Sequence, residues 1–117
     1  MLSRYSARMG VLAVVLTFVG ACGLLAESWV GTWHVTDTRG GEYDIVLESG
    51  GQAHAHGSQN AFGIWSEQDG RAYIVWNTGW KAILFLDKES GKYMKSAFDI
   101  DEGFNDTPLT TTPAYKH

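Results

Sequence analysis

The sequence lacks the features that mark a disulfide-rich, nucleic-acid-binding or catalytic protein. Cys22 is the only cysteine among 117 residues, so the chain forms no internal disulfide. Nine Lys and Arg residues stand against 13 Asp and Glu, and this net charge of −4 argues against the basic surface that nucleic acid requires. No Gly-x-Ser-x-Gly elbow, His-Glu-x-x-His motif or phosphate-binding loop occurs. The sequence therefore predicts a protein that is not an enzyme, with no cofactor and no nucleic-acid partner.

The first 26 residues have the layout of a signal sequence. Arg4 and Arg8 form a basic start without acidic residues, and a long apolar run follows at residues 11–26. Such a segment directs the rest of the chain to the periplasmic or external side of the cytoplasmic membrane. We therefore expect a cell-envelope protein, whose membrane contact is made through this N-terminal segment or through a lipid.

Three fates of this leader stay open. Signal peptidase would cut after Ala26 in one of them. In the second, Val19-Gly20-Ala21-Cys22 resembles a bacterial lipobox, and Cys22 would carry the lipid. In the third, residues 9–26 remain as an uncleaved anchor, since 18 residues of helix nearly cross a hydrocarbon core of about 30 Å.

From residue 28 onward, short apolar runs alternate with glycine-containing turns, and no stretch keeps the i, i+3, i+4, i+7 spacing of an amphipathic helix. The connections are too short for parallel crossovers, so neighbouring strands must pair antiparallel. Asp69-Gly70 is the clearest hairpin signal. The sequence predicts an all-β fold, a small antiparallel up-and-down meander or barrel of about seven strands. These strands are expected at residues 29–36, 42–48, 53–56, 61–67, 72–77, 80–87 and 93–99.

The predicted domain organisation has three parts. Residues 1–26 form the leader, residues 27–100 the β-barrel domain, and residues 101–117 an extended, proline-bearing C-terminal arm. Residues 72–76 and 83–86 are apolar on both strand faces, so a barrel alone would leave apolar side chains on its outside. The arm, a second copy of the chain or a partner protein are the candidates that would cover them.

The opening of the first predicted strand resembles that of a known group of barrels. Gly31-Thr32-Trp33 is similar to the Gly-x-Trp start of the calycins, the lipocalin and avidin group of antiparallel β-barrels, and Gly63-Ile64-Trp65 repeats the spacing. The resemblance implies a small β-barrel in which Trp33 plugs the closed end. It does not identify a ligand.

Aromatic residues are the first candidate binding groups, because all five tryptophans follow residue 28. They have three interpretations: filling of a small barrel core, contact with a partner protein, or the lining of a pocket for a small apolar molecule. Trp76 and Trp80 flank a turn and are expected to be the most accessible. The predicted ligand-binding or partner-binding residues are Trp33, Trp65, Tyr73, Trp76 and Trp80.

A histidine pair is the candidate metal site. His54 and His56 alternate across one residue of a predicted strand, so their imidazoles project from one face about 7 Å apart. This spacing suits Zn or Cu, and His34 or Glu67 would have to supply a third ligand. The alternative is a solvated pair beside the loop at residues 57–60.

Together these features favour a binding role. We expect a non-catalytic envelope protein, an accessory or structural subunit that docks on a larger membrane-associated assembly through exposed aromatic residues and the C-terminal arm. The first alternative is a lipocalin-like carrier of a small apolar ligand. The second is a periplasmic inhibitor of a hydrolase.

Overall fold

The computed structural model describes residues 28–117, which form a single antiparallel sheet without any helix. The predicted leader, including Cys22, lies outside the described residues. Within the described part of the chain no helix is long and apolar enough to cross a membrane. The nine strands are β1 (Gly31–Thr36), β2 (Glu42–Leu47), β3 (Gln52–Gly57), β4 (Ala61–Gln68), β5 (Arg71–Trp76), β6 (Lys81–Asp87), β7 (Lys92–Phe98), β8 (Thr110–Pro113) and β9 (Tyr115–Lys116).

Strands β1 to β7 follow one another as antiparallel neighbours. The turns between them are short, and several place glycine in the left-handed region that other residues avoid. At the β4–β5 hairpin both Asp69 (φ 53°) and Gly70 (φ 78°) have positive φ, as a two-residue turn of this hand requires. The prediction of an all-β antiparallel meander is confirmed, and its seven predicted strands correspond to β1–β7.

The remaining two strands come from the segment predicted to be an extended arm. β8 pairs with β7, β9 pairs with β1, and only Ala114 separates β8 from β9. Residues 110–116 therefore run from one edge of the sheet to the other and nearly close it into a barrel of nine strands. The sheet extends well past residue 100, where the sequence placed the end of the barrel domain.

Alternation along the strands decides what faces the inside. Trp33, Ile45, Ile74 and Leu84 are fully buried at inward positions, and the immediate neighbours of each along its strand point to the outer face. Four inward positions near the other end carry only alanine instead: Ala55, Ala61, Ala82 and Ala97. The large side chains therefore pack one end of the barrel, and the small ones leave space at the opposite end.

Part of the outer apolar surface is covered by the segment between β7 and β8. The ring of Phe104 lies 5.0 Å from that of Tyr73 and 5.7 Å from that of Phe98, in edge-to-face contact with both. The sequence analysis named three candidates to cover this surface, and the C-terminal arm, residues 101–117, covers part of it. The cover does not reach Phe62 and Ile64 on β4, whose side chains remain exposed.

Candidate functional site

The open end of the barrel contains a cavity of about 400 Å³. Its rim is made by the turns that follow β1, β3 and β5, and its walls by inward side chains of β2 to β7. The four alanines of the open end form part of the wall, so the volume exists because small residues occupy inward positions. A cavity of this size is typical of sites for small molecules.

Two of the predicted aromatic residues, Trp76 and Trp80, meet at this cavity. The β5–β6 turn brings them together: the Trp76 N–H donates to the Trp80 carbonyl at 2.9 Å, and Gly79 at φ 96° makes the turn. Trp76 is only 7% exposed and packs over Gly63 of the neighbouring strand, whereas Trp80 is partly buried. Both indoles therefore serve as cavity walls, and the expected accessibility of Trp76 is not observed.

Lys95 is one of the residues of this site that could not be found from the sequence. Its side chain is 1% exposed, and its Nζ donates to the Thr36 carbonyl at 2.5 Å and to the Tyr43 hydroxyl at 3.1 Å. An ammonium carries three N–H donors, and among residues 28–117 no third acceptor takes the remaining one. Burial lowers the pKa of Lys95 to about 8. The cavity wall thus contains a desolvated amine with an unused donor.

Tyr43 completes the polar wall of the cavity. Burial raises the pKa of its phenol to about 12, so the hydroxyl is protonated at neutral pH. Its oxygen accepts the hydrogen bond from Lys95, and the Nζ of that lysine also lies 5.0 Å from the centre of the phenol ring. The hydroxyl proton remains available as a second donor beside the amine.

Asp37 is the one carboxylate in the cavity lining, and its oxygens are already occupied. Oδ1 accepts from the N–H groups of Arg39 and Gly41, both at 2.8 Å, while Oδ2 accepts from Ser58 Oγ at 2.8 Å and Gln59 Nε2 at 3.3 Å. The Ser58 hydrogen bond is the main cause that lowers the pKa of Asp37 to about 2. Asp37 therefore ties two rim turns together.

Arg39 and Lys95 stand against this single hydrogen-bonded carboxylate, whereas Lys81 alternates with the inward Ala82 and directs its ammonium away from the cavity. Lys81 Nζ donates to the carbonyls of Gly79 and Ile100, both at 3.2 Å. The charge balance of the cavity is positive, although the chain as a whole is acidic. Such an arrangement favours an anionic group over a cationic one.

The other predicted aromatic residues lie elsewhere. Trp33 is fully buried at the opposite end, where its Nε1 donates to the Trp29 carbonyl at 3.0 Å and its ring contacts those of Trp29 and Tyr93. Trp65 is buried, and its Nε1 donates to the Glu48 carbonyl at 2.8 Å. Tyr73 lies on the outer face beneath Phe104. These three residues are structural parts of the barrel and do not line the cavity.

Histidines lie on the outer face of β1 and β3 and directly after β9. His54 and His56 do share a face, with rings 6.1 Å apart in a stacked arrangement, and His54 Nε2 lies 2.8 Å from a Glu48 carboxylate oxygen. His56 is the cross-strand neighbour of Asp44, but among the described residues neither histidine forms a three-ligand group with His34 or Glu67. His34 instead contacts Asp44 through Nδ1 and Glu42 through Nε2, each at 2.9 Å. Its hydrogen bond to Asp44, and then that to Glu42, raises the pKa of His34.

Among the described residues, a three-ligand group is formed by His34, Asp44 and His117. Asp44 contacts both histidines through one carboxylate oxygen, since His117 Nε2 lies 3.5 Å from the same oxygen that contacts His34. The hydrogen bond from His34 is the main cause that lowers the pKa of Asp44. The sequence analysis named His34 as a candidate ligand, but it could not find this group, because residue 117 is far from residues 34 and 44 along the chain.

What the cavity binds must be inferred from the residues of this chain. No family model matches the chain, and no curated protein and no solved structure matches it either.

Proposed function

We propose that the protein is a carrier of a small apolar molecule with an anionic group, which it binds in the open end of its barrel. The observation that carries this proposal is Lys95, a buried amine with an unused donor in the wall of a cavity of about 400 Å³. A buried lysine that contacts no carboxylate costs stability, and ionisable groups perturbed by burial cluster at functional sites.

The apolar part of the ligand is recognised by the two indoles. Trp76 and Trp80 offer flat faces on which a ring or a hydrocarbon chain packs, and the alanines opposite them leave room for it. Burial of ligand surface contributes roughly 25 cal/mol per Å² of apolar area, before the cost of association is subtracted.

The anionic group is recognised by Lys95 and Tyr43. A carboxylate beside Lys95 Nζ would accept the third N–H donor, and the Tyr43 hydroxyl would donate the second hydrogen bond. The ammonium of Lys95 is already desolvated in the folded protein, so ligand binding carries no further desolvation penalty for the lysine. A charge-assisted hydrogen bond of this kind contributes about 1.5–3 kcal/mol.

A matched pair of probes tests the charge requirement. 1-Naphthylacetate and 1-naphthylacetamide share a ring system and differ in charge, and decanoate tests an aliphatic anion. We expect isothermal titration calorimetry to show that naphthylacetate binds at least about tenfold more tightly than its amide, a difference of about 1.4 kcal/mol. Lys95→Met should remove this preference, while Lys92→Met, at an exposed lysine of the same strand, should retain it.

Two results would contradict the proposal. One is equal binding of the acid and the amide to the unsubstituted protein. The other is the absence of binding by naphthylacetate and decanoate at concentrations up to about 1 mM, the weak end of specific recognition. Because Lys95→Met leaves the Thr36 carbonyl without its donor, Trp80→Leu at the cavity wall provides a second variant that keeps the amine in place.

A second candidate function, the accessory subunit of a membrane-associated assembly, is favoured by a different surface. Phe62 and Ile64 are 62% and 66% exposed, and Val75 lies beside Ile64 on the neighbouring strand and is also exposed. Three adjacent apolar side chains on an outer sheet face are typical of a protein contact. This contact would use β4 and β5 in place of Trp76, which faces inward.

Native mass spectrometry of protein extracted gently from its own membranes tests this second function. We expect a complex of defined mass that is lost in the double variant Phe62→Ser, Ile64→Ser. Leu86→Ser is the control, since Leu86 is an exposed apolar residue outside the patch. A free monomer in every sample, or equal loss in the control, would contradict the docking function.

A further inference from the structure

We infer that His34, Asp44 and His117 form a binding site for a divalent cation of the zinc class on the outer face of the barrel. His34 Nδ1 and His117 Nε2 lie 2.9 Å and 3.5 Å from the same Asp44 carboxylate oxygen. All three ligand atoms lie within 4.8 Å of one another. The site is separate from the cavity and does not depend on the ligand proposed for it.

These separations suit one metal ion. Zinc binds imidazole nitrogen and carboxylate oxygen at about 2.0–2.2 Å, so adjacent ligand atoms in a tetrahedral site lie about 3.3 Å apart. The two distances to Asp44 bracket this value and the two imidazole nitrogens lie within 4.8 Å of each other, so rotations of the imidazoles about their side-chain bonds would bring all three atoms to it. Three protein ligands leave the fourth position for water, and two nitrogens with one oxygen favour zinc or copper over calcium or magnesium.

The fold holds the three ligands on three adjacent strands or strand ends. His34 on β1 is the direct cross-strand neighbour of Asp44 on β2, so alternation points both side chains outward at the same level. On the other side of β1, β9 pairs with the same strand, and the N–H of His117 donates to the Thr32 carbonyl at 2.9 Å. The rings of His34 and His117 consequently meet at 5.9 Å in edge-to-face contact.

An outer carboxylate fixes the orientation of His34. The Nε2 of this imidazole lies 2.9 Å from the Glu42 carboxylate, which accepts its N–H. Metal-bound histidines usually donate their second N–H to a carboxylate or carbonyl, which sets the tautomer and turns the other nitrogen toward the metal. Glu42 therefore aims Nδ1 at the point where the Asp44 oxygen and His117 converge.

The remaining two histidines provide an internal control. His54 and His56 lie on the same outer face, but His54 Nε2 is held by Glu48 and the two rings stack on each other. They belong to no three-ligand group of the described residues. A zinc ion that merely associates with surface imidazoles would not distinguish them from His34 and His117.

Zinc titration of the untagged full chain tests the site, with one-equivalent binding measured by calorimetry and by the shift of imidazole ¹⁵N resonances. We expect Asp44→Asn and His117→Gln to weaken zinc binding at least about tenfold, and Glu42→Gln to weaken it about tenfold through loss of His34 orientation. The double variant His54→Gln, His56→Gln should bind zinc as the unsubstituted protein does. Circular dichroism in the presence of a chelator checks that each variant keeps its sheet.

A zinc-dependent rise in Tm is the second readout, since a cation that joins β9 to β1 and β2 binds the folded chain alone. This rise should be absent in His117→Gln, whose exposed side chain is not needed for packing. Three results would overturn the site: no zinc binding by the unsubstituted protein, equal binding by Asp44→Asn, or loss of binding that follows the His54 and His56 substitutions. In the first case the three residues are ion-pair partners only.

Discussion

Lys95 on β7 and Tyr43 on β2 share a hydrogen bond of 3.1 Å across the interior of the barrel. The two strands are not neighbours in the sheet, so this bond joins opposite walls at the level of the cavity. It connects the two residues whose pKa values burial shifts most strongly among the described groups, one downward and one upward. The pH dependence of the free energy of unfolding should reveal both pKa shifts.

The first prediction concerns stability between pH 7.5 and 9.5. The pKa of Lys95 is about 8 in the folded chain against an ordinary value of 10.5, so the unfolded chain binds more protons in this window. The free energy of unfolding should therefore rise with pH, by at most about 1.4 kcal/mol per pH unit. Urea unfolding measures it. Lys95→Met should lack this rise, and an identical rise in that variant would contradict the assignment.

The rise of stability with pH ends near pH 10, because ionisation of Tyr43 favours the unfolded chain. Its phenol has a folded pKa of about 12, above the ordinary value of 10.0, so the unfolded chain loses this proton first. Stability should therefore fall again between pH 10 and 12. Tyr43→Phe removes the ionisable group and should abolish this decline, which a continued fall in the variant would refute.

The second prediction concerns acid and the cavity rim. The pKa of Asp37 is about 2 in the folded chain against an ordinary 3.8, so its contribution to stability is present above pH 4 and is lost as pH falls toward 2. The Tm difference between the unsubstituted protein and Asp37→Asn should shrink over that interval. A Tm difference that stays constant between pH 4 and pH 2 would contradict this role of Asp37.

The third prediction concerns Gly63, the direct partner of Trp76 across β4 and β5. A methyl group at Gly63 would contact the Val75 carbonyl and come within 2.9 Å of the Trp76 ring. Gly63→Ala should therefore cost about 1–3 kcal/mol of unfolding free energy and alter the Trp76 fluorescence. At Gly50 a methyl group meets nothing within 4 Å, so Gly50→Ala should be close to neutral. Equal effects of the two substitutions would contradict this packing.

The fourth prediction separates the two ends of the barrel. Trp33 is fully buried, and Trp33→Ala should cost about 3–5 kcal/mol of stability. Trp80 is partly buried at the cavity, so Trp80→Ala should destabilise the fold less and weaken naphthylacetate binding more. Chemical denaturation and calorimetry on both variants measure the contrast. Unfolding of the Trp80 variant would show that this side chain belongs to the core.

Most of the sheet could be predicted from local signals. Alternation and glycine turns locate β1 to β7, because each of these strands pairs with the one next to it. β8 and β9 escaped the prediction for two physical reasons. Both strands are short, and β8 contains Pro113. Their pairing with β7 and β1 depends on closure of the whole sheet, which no local pattern encodes.

The site was predictable only in part. Trp76 and Trp80 flank one turn, so their proximity follows from the sequence. Lys95 was missed because β7 carries apolar residues on both faces, Tyr93 and Ala97 on one and Met94 on the other. The alternation of this strand therefore does not show which face points inward. The contact of His34 with His117 depends on the pairing of β1 with β9, and this register is decided by tertiary structure.

The C-terminal segment that carries β8 and β9 also dictates the order of assembly. β1 can pair with β2 as soon as both are made, but its second edge stays open until residues 115–116 arrive more than seventy residues later. A nascent chain thus carries an unpaired edge through most of its synthesis, and such edges recruit strands from other molecules. Completion of the barrel is a late, high-contact-order event, so self-association should threaten the growing chain far more than the finished one.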